Sequence, residues 1–351
     1  MFLAIKEIRK EKLRSSLIVA MIVLISYLIF ILTSLALGLA QQNTDAIDSW
    51  HVKTVVLNAN ANVDMRQSLL TTDQVGALPK DAAVVGQASV AVKAKGHEQV
   101  SATFLGLKAS QFIAKNLTVT SGRKPTKASE VLADDSLKLK GYKLGSTITL
   151  NGLAKHYTIV GFTSGAKMNI APVLYGTMSA WQTLKGGMPN LSASAVVAQS
   201  DTFKLGTSGT KAYSTAAFIQ KLPGYSAQNM TFELMIGFLM VISLIIIAVF
   251  MYILTMQKLP NYAVLRVQGV PSRVLVQATL AQSLLLVAAG LVGGTVLLII
   301  TAAAMPAVVP MAFSLPLLSA VGVGLLAMGL IGGLIPVRRV VKVDPLTVIG
   351  G

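Results

Sequence analysis

Residues 274–337 run for 64 positions without a charged side chain, and residues 234–256 run for 23 more. A bilayer core takes about 20 apolar residues of helix, so both runs are long enough to cross it. Between them lies a polar island, residues 257–273, with three cations (Lys258, Arg266, Arg273) and no acid. Short loops rich in lysine and arginine stay on the cytoplasmic side, so the island is expected there. Pro260 suits the first turn of a helix, residues 262–268 read as helical, and Gly269 suits a C-terminal cap. Pro271 and Ser272 then open the next span. The expectation is a stiff helical knuckle over 257–273, a shape for passing force from a soluble partner into a membrane.

With 53% hydrophobic and 13% charged residues, the chain reads as an integral membrane protein. The net charge of +16 comes from scattered lysines, with no basic cluster interleaved with aromatics, so no nucleic-acid partner is expected. The absence of cysteine excludes disulfides and thiolate metal sites.

Residues 1–16 hold five cations and two acids, with Phe2, Ile5 and Ile8 at helical spacing. They predict a cytoplasmic amphipathic juxtamembrane helix. Residues 17–40 are uncharged and predict transmembrane helix 1. Gly38 and Ala40 imitate a signal-peptidase site, but the run is too long for a signal's apolar core. Residues 41–229 carry 19 cations and 10 acids. Long domains cross membranes regardless of charge, so this segment is expected outside. Its β-rich runs at 52–57, 84–92, 100–107, 146–150 and 156–162, with a turn at Asn151-Gly152, predict strands. Helical pieces are expected at 134–139 and 215–222, the latter capped by Ser214. Transmembrane helices 2, 3 and 4 are expected at 230–256, 274–304 and 315–337, with a cytoplasmic tail at 338–351. The predicted class is an α-helical membrane protein of four transmembrane helices, with a mixed α+β extracytoplasmic domain inserted between helices 1 and 2. Both termini are expected inside.

No GxxxxGK[ST] run exists, and the GTSGTK segment at 206–211 has the wrong spacing. The chain is therefore not expected to be an enzyme or to bind ATP itself. HExxH is absent and His51, His97 and His156 are dispersed, so no metal site is expected. Gly290 and Gly294, like Gly329 and Gly333, are spaced for close helix contact, expected between helices 3 and 4.

Glu233 is the only acid between Asp201 and Asp344. At the start of helix 2 it is either a functional carboxylate or a dipole-stabilised residue of a first turn. Met230, Glu233, Gly237 and Met240 share one helical stripe. Gly237 leaves a gap where a flat apolar ligand could rest. The competing reading of the methionines is packing.

The chain resembles the FtsX/MacB-type ABC permeases. The likeness rests on YAVLRVQG at 262–269, RRVVKVDP at 338–345, and an outer segment of EVL at 130–132, GSTITL at 145–150 and YTIVG at 157–161. QGVP at 268–271 and DPLTVIG at 344–350 are most similar to the DevC/HrtB-like branch, whose HrtB-like members expel haem. The resemblance implies a homodimer in a bacterial cytoplasmic membrane, driven by two copies of a separate ATPase that binds the ATP. It implies that the island is the coupling helix, with Tyr262, Leu265, Arg266 and Gly269 at that contact. It makes haem the first candidate substrate rather than a bound cofactor; for that ligand the helix 2 stripe offers Glu233, Met230 and Met240 as the substrate site, with Glu233 and Met230 as candidate iron ligands, since methionine and oxygen donors can ligate haem iron. The alternative function is a transmembrane transmitter that controls cell-wall hydrolases or an antimicrobial-peptide response.

Overall fold

The computed structural model describes residues 11–306 and 309–341. By internal contacts it divides into a helical unit, Met1–Gly38 with Met230–Gly351, and a sheet unit, Leu39–Asn229. The expected helix at 1–16 lies mostly outside the described residues, as does the tail beyond 341.

The first helix, α1 (Lys12–Ser49), is longer than the apolar run that predicts it. Nothing at 41–48 stops it: the stretch contains neither proline nor glycine. Its polar side chains bond back along the helix, Asn43 to the Leu39 carbonyl at 2.8 Å and Thr44 to Asp48 at 2.7 Å.

Along the sheet unit come β1 (Thr54–Asn58), β2 (Leu70–Thr71), α2 (Thr72–Val75), β3 (Ala82–Lys93), β4 (Val100–Leu107), α3 (Phe112–Asn116), β5 (Ser121–Gly122), β6 (Glu130–Asp134), α4 (Ser136–Leu139), β7 (Thr147–Leu150), β8 (His156–Thr163), β9 (Lys167–Met168), β10 (Ala171–Thr177), α5 (Met178–Leu184), β11 (Leu191–Ala193), β12 (Ala195–Ala198), β13 (Thr210–Ser214) and α6 (Thr215–Gln220). One sheet runs β13-β1-β12-β3-β4-β10-β6-β8-β5, with β7 pairing β3 and β8. The β4–β10 and β6–β8 pairs are parallel. Successive residues alternate faces, so Phe104 packs with Tyr157 and Trp181 on one side. On the other side Leu105 and Tyr175 pack with Ile47 and Trp50. Both faces are buried.

Every strand expected from sequence forms within two residues of its predicted bounds. Asn151 (φ 53°) and Gly152 (φ 69°) turn the chain after β7, and the Asn151 Oδ1 accepts from the Ala91 amide at 2.8 Å. The helix expected from Asp134 begins instead at Ser136. Asp134 ends its strand because its carboxylate accepts from the amides of Ser136 (3.0 Å) and Ala166 (3.1 Å). The Ser214 hydroxyl caps α6 by accepting from Ala217 at 3.2 Å, as predicted.

Three glycines line up across the middle of the sheet, Gly86 beside Gly106 and Gly106 beside Gly176. Trp181 lies where side chains at 86 and 106 would stand, and the Phe104 ring lies 2.4 Å from the Cβ position of Gly176. A Cβ at Gly86 would meet the indole at 2.2 Å, and one at Gly106 would meet the Trp181 Cβ at 2.5 Å. Trp181 is fully buried and its Nε1 donates to the Gln87 carbonyl at 3.0 Å. Elsewhere in the sheet unit, Arg123 grips Glu130 with two bonds of 2.6 and 2.8 Å, and the Thr126 and Lys127 amides donate to the same carboxylate.

The helical unit holds the start of α1, α7 (Tyr225–Val267) from Met230 onward, α8 (Ser272–Ala304) and α9 (Leu315–Val341); among the described residues these are four helices long and apolar enough to cross a membrane. Ile18 and Ile22 of α1, Ile247, Met251 and Leu254 of α7, and Leu286 and Val287 of α8 meet in the bundle centre. Glycines set the approaches. Gly329 and Gly333 of α9 sit against Val287 and Ser283 of α8, as expected. Gly290 and Gly294 do not face α9. They seat Ile22 and Ser26 of α1, and the Ser26 hydroxyl donates to the Gly290 carbonyl at 3.2 Å. Glycine spacing signals close contact without naming the partner helix, since α8 carries small residues on two faces. Gly38, in the imitation cleavage site, receives the loop before α9: a Cβ there would lie 2.2 Å from the Pro310 oxygen, and Ala312 N–H donates to Ser34 O at 3.0 Å.

Candidate functional site

The island does not form a helix of its own. Residues 257–267 are the last turns of α7, which passes through Pro260 unbroken. A proline within a helix removes one main-chain bond, but Tyr262, Leu275 and Val340 bury the chain beyond it in one apolar cluster. The end of the helix follows the expected Gly269. The Gly269 amide donates to Arg266 O at 3.0 Å and the Val270 amide to Leu265 O at 3.0 Å, with Gly269 at φ 89°. This is the paired bonding of a Schellman cap, and Val270 and Leu265 pack beside the same cluster. Pro271 then precedes α8 at the N-cap position.

The four predicted coupling residues divide. Tyr262 is 1% exposed and points into the bundle, so it positions the turn rather than offering a surface. Leu265 and Arg266 are half-buried, and an Arg266 Nη1 lies 3.5 Å from Val341 O. Gly269 is exposed. The residues that face outward are Val264 (49% exposed), Val267 (62%) and Gln268. The sequence hides this, because both sides of the 262–270 helix end are apolar and a hydrophobic stripe cannot say which side is covered.

Lys258 is also inside. It is 4% exposed, and its ammonium donates to the Gln282 Oε1 of α8 at 3.0 Å, one turn from buried Thr279. In the sequence it counts as a cytoplasmic-edge cation. In the fold it ties α7 to α8, and a buried charge needs such polar partners.

At the other end of the α7 apolar run, Met230 (62% exposed), Glu233 and Gly237 lie open along one face. A Cβ at Gly237 would meet nothing within 4 Å, so the helix face there is open. Met240 leaves the stripe: its Cε lies 2.7 Å from the Cβ position of Gly324, so it packs on α9. Within one chain the donors brought together are therefore Met230 and Glu233. Glu233 forms no ion pair among the described residues. Further along α7, Phe238, Val241, Ile245 and Val249 are each about half exposed or more, an apolar lane left uncovered by the bundle. No cluster of three or more metal-ligating side chains occurs among the described residues.

Residues 233–345 match the family profile described as FtsX-like permease C-terminal. Over its whole length the chain is 26% identical to a protein named a hemin transport system permease, HrtB, from Staphylococcus haemolyticus, an alignment covering 100% of this chain and 99% of that one. It is 24% identical to an uncharacterised ABC transporter permease of Mycobacterium tuberculosis, again over 100% and 99%. Among solved structures, the periplasmic region of MacB from Actinobacillus actinomycetemcomitans aligns at 16% identity over 48% of this chain and 93% of that chain, with a TM-score of 0.36.

Proposed function

We propose that this FtsX-like ABC permease is the membrane half of an efflux system that expels a flat amphipathic molecule, haem first. It lies in the bacterial cytoplasmic membrane with both termini inside and the sheet unit outside. It works as a homodimer and takes its energy from two copies of a separate ATPase that dock at the α7–α8 turn. What carries the reading is the end-to-end similarity to a protein named a hemin permease.

Two open donors and a bare apolar lane on α7 support that reading. Met230 and Glu233 stand open beside the Gly237 gap. The lane of Phe238, Val241, Ile245 and Val249 is where a second α7 would pack. Two such faces would frame an apolar cleft with a thioether and a carboxylate from each chain, entered sideways from the outer leaflet. Haem is transported there and is not a resident cofactor.

The test is a hemin titration of the full chain in detergent, followed at the Soret band. A saturable red-shifted band supports the reading. A linear, unsaturable signal identical to that of empty micelles removes haem, and the transmitter function then becomes the better account.

A further inference from the structure

We propose that the sheet unit carries a binding site for an amphipathic anion, a phosphate or carboxylate head with a short hydrocarbon body, in the cleft between α2 and α3. The cleft has a volume of about 570 Å³, within the usual range of small-molecule sites. Its floor is apolar: Val75 is buried, and Leu78 and Phe112 are half-buried. Its rim holds Lys80, Lys108 and Lys115, all exposed, and no carboxylate lines it.

Three lysines of one sign over a concave low-dielectric wall concentrate field and raise the local anion concentration. None of the three forms an ion pair among the described residues. Their methylene stems can cover the ligand's body while the ammonium groups reach its head. Ser110 and Ser192 add hydroxyl donors at the wall.

The frame is built to hold this shape without a ligand. Thr71 and Gln74 cap α2 reciprocally in a capping box. The Gln111 carbonyl oxygen Oε1 accepts from the Val84 amide at 3.1 Å, pinning the start of α3 to β3. At the other end of α3, the Lys124 ammonium donates to the Ala114 carbonyl at 3.1 Å and also to that of Lys115. Lys124 is thus committed to the backbone, whereas Lys80, Lys108 and Lys115 line the cleft and are exposed. The site is independent of what the permease exports.

The experiment uses the full chain in phosphatidylcholine nanodiscs with decyl phosphate as the probe. Lysine acetylation is followed residue by residue by mass spectrometry. Saturable protection of Lys80, Lys108 and Lys115, with Lys138, Lys143 and Lys211 unchanged, is the expected result. Decanol and decyltrimethylammonium should protect none of them, and inorganic phosphate should protect less than decyl phosphate. Lys108→Glu with Lys115→Glu should weaken saturation at Lys80 by about tenfold, and Phe112→Ser should weaken decyl phosphate while leaving inorganic phosphate unaltered. Uniform protection of all lysines, protection by decanol alone, or wild-type saturation in both variants overturns the proposal. Hemin binding that fails while decyl phosphate protection persists would remove the haem reading and leave this site standing.

Discussion

The Ser283 hydroxyl donates to the carbonyl oxygen of Gly329 at 2.7 Å, joining α8 to α9 inside the bundle. The bond is short because Gly329 has no side chain: a Cβ there would stand 2.7 Å from a Val287 methyl. Ser26 and Gly290 repeat the device between α1 and α8 at 3.2 Å. In hydrocarbon no water competes for these groups, yet such bonds average only about 0.6 kcal/mol. Close packing of the helices contributes more than the bonds do.

Gly294→Val should therefore destabilise the bundle by about 1–3 kcal/mol, since its Cβ would lie 2.2 Å from Ser26 Oγ. Gly237→Val, placed in open space, should leave stability nearly unaltered. Thermal unfolding in detergent compares them, and equal melting points would contradict the packing assigned to α1 and α8.

Gln282→Leu should cost about 1.5–3 kcal/mol, the scale of a hydrogen bond to a charged group. The same change in a Lys258→Met background should cost much less. A double-mutant cycle on thermal stability reads the difference directly. Additive costs would mean that the 3.0 Å contact contributes nothing.

If the proposed ATPase docks at the α7–α8 turn, Val267→Asp should abolish its co-purification while leaving this protein as stable as wild type, because Val267 is 62% exposed. Tyr262→Ala should instead lower stability by about 3–5 kcal/mol through loss of a buried aromatic, read as a lower melting point. Retained ATPase binding in Val267→Asp would place the docking surface elsewhere.

Glu233→Ala and Met230→Ala should each weaken hemin binding or shift its Soret band, and Met240→Ala should change it less because Met240 packs on α9. All three spectra coinciding with wild type would take Glu233 and Met230 out of the substrate site.

Arg123, with help from the Thr126 and Lys127 amides, holds the Glu130 carboxyl well below the usual carboxylate range. A carboxylate depressed in the folded state stabilises it above the ordinary value near 4.5, and that help fades as pH falls below it. Glu130→Gln should lower the melting point by several degrees at pH 7 and by progressively less between pH 4.5 and more acid conditions. A gap that stays constant with pH would show that the ion pair is not its source.

The architecture is legible in the sequence where the signal is periodic or charge-based. Uncharged runs mark the four long helices, and valine-rich segments mark the strands. Glycine spacing shows which helices come close but not which pairs they join. That Lys258 and Tyr262 are buried is not legible in the sequence for one physical reason: in a bundle a residue's side is set by helix rotation, which a doubly apolar stripe leaves open. The full length of α1 is hidden because its polar residues 41–48 hold no breaker, and that of α7 because Pro260, a start signal in the sequence, lies inside the helix. The cleft lysines are invisible, since Lys80 and Lys115 lie 35 positions apart in the chain.

The bare lane of Gly86, Gly106 and Gly176 turns three positions on three strands into a single inherited character. None of them can acquire a methyl group while Trp181 and Phe104 keep their places. Across related chains, a larger residue at 86 should therefore arrive only with a smaller one at 181, and one at 106 only with glycine at 181 or a shifted α5. A chain that retained the tryptophan beside an alanine at 106 would need a sheet displaced from this one, and its structure would show where the strain went.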